Sequence, residues 1–174
     1  MNYAEIKKYD IANGLGIRVS LFVSGCRHHC KGCFNEIAWD FSYGKAFSEE
    51  TIKEILEAVD KPYIAGLTLL GGEPMEPENQ PAVLKLLQAF HKQFPDKNVW
   101  CYTGFVLDDL LSGGRVHLDC TDELLSYIDI LVDGPFILDQ KNIQLKFRGS
   151  SNQRIIQLQE TLKTGHVVEY NDWI

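Results

Sequence analysis

Ile17-Arg18-Val19-Ser20-Leu21-Phe22-Val23 runs directly into Ser24-Gly25-Cys26-Arg27-His28-His29-Cys30-Lys31-Gly32-Cys33-Phe34-Asn35, and the fold turns on this stretch. Its first part mixes β-branched and large apolar side chains, the pattern of a buried strand. The loop that follows places three cysteines within eight positions, spaced C-x3-C-x2-C. Three thiolates on one tight loop can occupy three corners of a metal site, and soft thiolates select zinc, copper(I) or iron–sulfur clusters. Gly25 and Gly32 let the backbone fold closely around an inorganic core.

Outward from this stretch the chain alternates between two periods. Residues 48–59 read as a helix, with Ser48 as N-cap, Glu49 and Glu50 in the first turn, and an apolar stripe of Ile52, Ile55, Leu56 and Val59. Residues 66–70 form a short apolar run that ends at Gly71-Gly72, a second strand. Residues 81–94 predict a helix opened by Pro81, with Val83, Leu84, Leu87, Phe90 and Phe94 on one side. Asn98–Thr103 reads as a third strand, Thr121–Tyr127 as a short helix and Ile128–Val132 as a fourth strand, closed by Asp133-Gly134-Pro135. Strands alternating with helices imply right-handed βαβ units and a parallel sheet. A full eight-stranded barrel needs at least about 200 residues, so the expectation is an α/β fold built as an open, partial parallel β/α barrel in one domain over residues 1–174. In such folds ligands gather at the C-terminal ends of the strands, and every chemically suggestive segment lies there.

The chain has 174 residues with 17 Lys plus Arg against 24 Asp plus Glu, a formal charge of −7. Hydrophobic residues make up 45% and aromatics 11%, which excludes a disordered polymer. The acidic balance argues against nucleic acid or an anionic membrane as the main partner. Met1 is followed by the charged segment Glu5–Asp10, unlike a secretory signal, and no apolar run approaches the roughly 18 residues of a membrane span. The expected location is cytoplasmic. Five cysteines, an odd number, then point to metal or redox chemistry and away from a disulfide framework.

Three readings of the cysteine loop compete. The cysteines could be buried and inert. They could hold a structural zinc with a fourth ligand from His28, His29, Cys101 or Cys120, making the chain an interaction module, although no second C-x2-C knuckle accompanies them. Or they could hold a 4Fe–4S cluster with one iron left free of protein ligands, an open position that signals chemistry. The second strand ends in Gly71-Gly72-Glu73-Pro74, two glycines and a carboxylate able to accept hydrogen bonds from an ammonium group.

C-x3-C-x2-C after an early strand, followed one βα unit later by Gly71-Gly72-Glu73, resembles the signature pair of the radical S-adenosylmethionine (SAM) superfamily. The commonest form of that signature has an aromatic before the third cysteine. Here Gly32 stands there and Phe34 follows, as in the glycyl-radical-enzyme activases. Asn13-Gly14-Leu15-Gly16-Ile17-Arg18 resembles the opening segment of activases. Arg148–Arg154, with Cys33-Phe34-Asn35 and Trp39, resembles the activases that serve anaerobic ribonucleotide reductase. The resemblance runs from about residue 3 to 156.

The resemblance implies a partial barrel of the radical SAM type and a 4Fe–4S cluster held by Cys26, Cys30 and Cys33. It implies SAM bound at the free iron, its ammonium steadied by Gly71, Gly72 and Glu73, with Thr103 and Asp133 beside it. An electron from flavodoxin or ferredoxin would cleave SAM to methionine and a 5′-deoxyadenosyl radical, which takes a hydrogen from a glycine of anaerobic ribonucleoside-triphosphate reductase. A rival within the superfamily is an enzyme acting on a small molecule, like the compact synthase of the deazapurine pathway. His28 and His29 are not needed as ligands in this reading. Cys101 and Trp100 read as packing, His91 as exposed, Cys120 as unpartnered, and His166–Trp173 as at most a strand.

Overall fold

The computed structural model describes residues 1–171. The strand expected at 17–23 forms as β2 (Ile17–Val23), and it is the second strand, preceded by β1 (Asn2–Asp10). β1 escapes a reading by hydrophobicity because only Tyr3 and Asp10 along it are buried, while Glu5, Lys7 and Lys8 face solvent. The remaining strands are β3 (Lys45–Ala46), β4 (Ile64–Gly71), β5 (Asn98–Tyr102), β6 (Ile130–Asp133) and β7 (Arg154–Gln157). The helices are α1 (Glu49–Val59), α2 (Gln80–Gln93), α3 (Leu107–Leu110), α4 (Thr121–Ser126) and α5 (Leu158–Thr164).

The seven strands form one open sheet in the order β3-β1-β2-β4-β5-β6-β7. β2, β4, β5 and β6 are parallel neighbours, as the alternation of strands and helices requires. The flanks correct the expectation of an all-parallel sheet: β1 pairs antiparallel with β2 and β3, and β7 pairs antiparallel with β6. The cause is the connections. The short 11–16 turn can only return the chain as a hairpin, and the segment 134–153 contains no long crossover helix, so neither link can carry the chain round to a parallel neighbour. The region from His166 onward contributes an isolated bridge, Glu169 to Ile156, and Trp173 lies outside the described residues.

Alternation along the strands sorts the side chains onto two faces. Val19, Leu21, Leu67, Leu69, Val99, Cys101 and Leu131 pack under α1 and α2 against Ile55, Val83, Leu87 and Phe90, so Cys101 is core as expected. Trp100, Val132 and Ile155 lie in a second cluster on the other face, where Phe147 and Tyr170 meet Trp100 edge-on at 5.4 and 5.9 Å. Arg18 also belongs to that face and is fully buried. Its guanidinium donates to Thr68 Oγ1, the Asn98 side chain and the carbonyls of Leu15, Leu67 and Asn98 at 2.7–3.1 Å. Burial lowers its pKa to about 10. Arg18 thereby pins the 11–16 turn across the end of the sheet. Among the described residues no helix is long and apolar enough to cross a membrane.

Candidate functional site

At the C-terminal edge of the parallel strands lies a cavity of about 550 Å³, within the usual range for a small-molecule site. Cys26, Cys30 and Cys33 line it from the loop after β2, Gly71, Gly72 and Glu73 from the end of β4, and Thr103 from the end of β5. The two motifs, some forty residues apart in sequence, are stitched together by backbone. Gly72 N–H donates to Val23 O at 2.7 Å and Glu73 N–H to Gly25 O at 2.8 Å. Gly25 and Cys26 N–H donate in turn to Ala38 and Trp39 carbonyls at 2.8 and 3.2 Å. Gly72 has to be glycine here: a Cβ would stand 2.7 Å from Gly25 O and 2.8 Å from Ala38 O. Gly71 turns the chain at a φ of +112°, in the left-handed region open to glycine.

The cysteine loop is also clamped from outside. Arg27 N–H donates to Glu76 Oε1 at 2.7 Å, and its guanidinium bonds Glu76 Oε2 at 2.8 Å and Glu78, while lying over the Phe41 ring. Bonds to Glu78 and Glu76 raise the Arg27 pKa. Burial pushes the Cys26 thiol up to about 12 and raises Cys30 as well. Both thiols therefore hold their protons in the metal-free chain, and ligation releases them.

Thr103 is buried, and its Oγ1 accepts from Phe105 N–H at 3.1 Å. Asp133 is placed differently from the other expected site residues. Its carboxylate does not line the cavity. It sits behind the wall, 1% exposed, paired through both oxygens with Arg154 and accepting from Leu107 N–H at 2.8 Å. Sequence reasoning weighed only a metal-ligand role for His28 and missed its place in the site. Its Nε2 lies 2.9 Å from Glu73 Oε2, a contact between residues 45 apart that no local pattern announces.

The donor set bears on the choice among metals. Cys101 is in the core and Cys120 precedes α4, and neither lines the cavity. His29 is stacked on Trp39 with centroids 4.5 Å apart, and His28 is engaged with Glu73. None of the four side chains considered as a fourth zinc ligand is thus presented to the cysteines as one. Among the described residues no three His, Cys, Asp or Glu side chains converge on a single-ion site. A cluster does not ask for such convergence, because each thiolate takes a different iron. Three soft donors lining one cavity fit a 4Fe–4S group.

These features define an iron–sulfur protein, and comparison with known proteins agrees: a family model described as a 4Fe-4S single cluster domain matches residues 12–156. Relatives named anaerobic ribonucleoside-triphosphate reductase-activating protein align over nearly their whole length. The one from Vibrio cholerae is 43% identical over 89% of this chain and 97% of its own. That of Enterobacteria phage T4 is 39% identical over 89% and 93%. That of Escherichia coli K12 is 38% identical over 91% and 99%. The chain belongs to the family of anaerobic ribonucleoside-triphosphate reductase-activating proteins.

Proposed function

We propose that the protein activates an anaerobic ribonucleoside-triphosphate reductase by generating a glycyl radical on it, using SAM and a 4Fe–4S cluster in the cavity at the strand ends. The observation that carries this reading is the meeting of the cysteine loop and the Gly71-Gly72-Glu73 turn on one cavity wall, joined by the Gly72–Val23 and Glu73–Gly25 backbone bonds. Cys26, Cys30 and Cys33 would hold the cluster, each as a thiolate. The carbonyls of Gly71 and Gly72 and the carboxylate of Glu73 would accept hydrogen bonds from the SAM ammonium, and Thr103 would border the rest of SAM. When bound, the cluster and SAM supply one-electron cleavage of the sulfonium to a 5′-deoxyadenosyl radical able to take hydrogen from a glycine Cα.

The chain's own work is to bind, orient and exclude water. The Arg27–Glu76 clamp fixes the cysteine loop over the strand ends. Asp133, from behind, holds Arg154 and the start of α3 in place and acts as a support. The open sheet acts as a partial barrel in one domain, whose gap admits a loop of a large protein. The electron donor is a small cytoplasmic carrier, flavodoxin or ferredoxin.

Anaerobic incubation of iron-loaded protein with SAM, a one-electron reductant and the reductase tests the reading. An electron paramagnetic resonance doublet should appear on the reductase, together with 5′-deoxyadenosine. Tight zinc at one ion per chain, with no cluster absorbance after reconstitution, would remove the proposal.

A further inference from the structure

His28 lies between two of the three cysteines and lines the same cavity. Its side chain is 13% exposed, and that of Glu73, which it meets, is 1% exposed. Glu73 is held from three directions. Oε2 faces His28 Nε2 at 2.9 Å and accepts the Gly104 N–H at 2.7 Å, while Oε1 accepts the Met75 N–H at 2.8 Å. The imidazole is wedged edge-on against Phe105 at 4.4 Å between centroids. Gly104 leaves room for it, since a Cβ there would stand 2.5 Å from the ring. A carboxylate only accepts, so the Nε2 facing it carries the hydrogen. Three segments, the cysteine loop and the loops after β4 and β5, thus each give one N–H to a single buried carboxylate.

We propose that His28 is a positioning residue for SAM, acting through Glu73. The inference rests on the proposed function above and deepens it. A carboxylate offers about four lone-pair sites. The three N–H donors occupy three of them and leave one for the ammonium of the ligand. Met75 and Gly104 are backbone donors that the β4 and β5 loops supply regardless of the cysteines. His28 is the donor that comes from the cysteine loop, so it makes the aim of the remaining lone pair depend on that loop being in its cluster-holding shape. Remove the imidazole N–H and a second lone pair opens to water. The carboxylate then loses its single preferred direction, and binding the ammonium has to displace that water and restore the geometry.

Two substitutions separate this role from packing. His28→Phe keeps a ring against Phe105 and removes the N–H, whereas His28→Gln keeps an N–H at similar reach. With equal iron per chain in all three proteins, SAM affinity measured by equilibrium dialysis should weaken roughly tenfold in His28→Phe, and His28→Gln should recover most of it. The change in the cluster's electron paramagnetic resonance signal on adding SAM should need correspondingly more SAM in His28→Phe. Equal affinity in His28→Phe and wild type overturns the proposal. So does equal loss in both variants, which would mean packing, or loss of iron, which would mean a role in holding the cluster. A cofactor-free measurement stands beside these: a double-mutant cycle of His28→Phe and Glu73→Gln on the melting of cluster-free protein. The two effects should be clearly non-additive, and strict additivity sinks the contact. Should wild-type protein take up neither iron nor SAM, the function reading fails, while the cycle still judges the His28–Glu73 pair.

Discussion

Cys30 and Asp133 show how differently two residues of one site can matter. Cys30 is half-buried, forms no disulfide, and has the Phe136 backbone N–H as a neighbour of its sulfur, so the fold asks little of its thiol. Cys30→Ala should therefore abolish cluster absorbance and reductant-dependent SAM cleavage, yet leave the circular-dichroism melting curve of the cluster-free protein in place. Asp133 reverses this pattern. Its carboxylate is buried and carries Arg154 and the Leu107 N–H. Removing one partner of such a pair leaves an uncompensated charge, a loss of about 3–5 kcal/mol when both are buried. The Arg154 side chain is 35% exposed, so water takes up part of the deficit, and Asp133→Ala should cost about 2–3 kcal/mol. Urea denaturation of the cluster-free protein measures it; an unchanged midpoint would show that Arg154 finds water as readily as it finds Asp133.

The elements explain which parts of the molecule the sequence made legible. α1, α2 and the four parallel strands announce themselves by their buried apolar residues: Ile52, Ile55 and Val59 on one face of α1, and Leu67 and Leu69 on the helix-covered face of β4 with Leu70 buried on the other. β1 does not, since an outer strand with charged residues toward solvent lacks an apolar run. β7 is hidden by its length, Arg154–Gln157, beside a polar loop. The cysteine loop stood out by its spacing and Gly71–Glu73 by a family resemblance, and their place on one cavity followed from strand order. The His28–Glu73 bond and the sideways place of Asp133 were not legible, because both depend on side-chain direction across elements far apart in sequence. At Gly72 the exit turn of β4 is seated directly on the cysteine loop. Gly72→Ala drives a methyl into two carbonyls, and overpacking of this kind costs about 1–3 kcal/mol. Iron uptake on reconstitution should fall with it, because the turn and the loop move apart. Gly113→Ala is the control: φ there is +84° but nothing stands within 4 Å, so it should lower stability by about 1 kcal/mol and leave iron uptake as it was.

At the scale of the whole molecule, the sheet does not close, and its order ends in β3 on one side and β7 on the other. The cavity opens to solvent, and two large apolar side chains stand exposed at its border. Phe34, next to the last cysteine, is 83% exposed, and Ile143, on the segment between β6 and β7, is 90% exposed. Both line the cavity. Large side chains left this open on a charged surface mark contact sites when they cluster. A reaction whose substrate is a glycine inside a folded protein needs such a border, because glycine has no side chain for the cavity to grip. Affinity then has to come from surfaces around the reacting residue. Burying one such side chain fully stabilises a complex by about 1.5–3 kcal/mol. Ile143→Asp, which removes the apolar area and adds a charge, should raise the KM for the reductase about tenfold or more. Affinity for SAM, measured without reductase, should stay at the wild-type value, since the change lies at the rim. A steady-state titration with reductase at saturating SAM reads the first quantity and equilibrium dialysis the second. If the KM for reductase does not move, the reductase enters by another side of the open sheet, and Phe34→Asp, on the cysteine loop that lines the same cavity, distinguishes a contact confined to one segment from none.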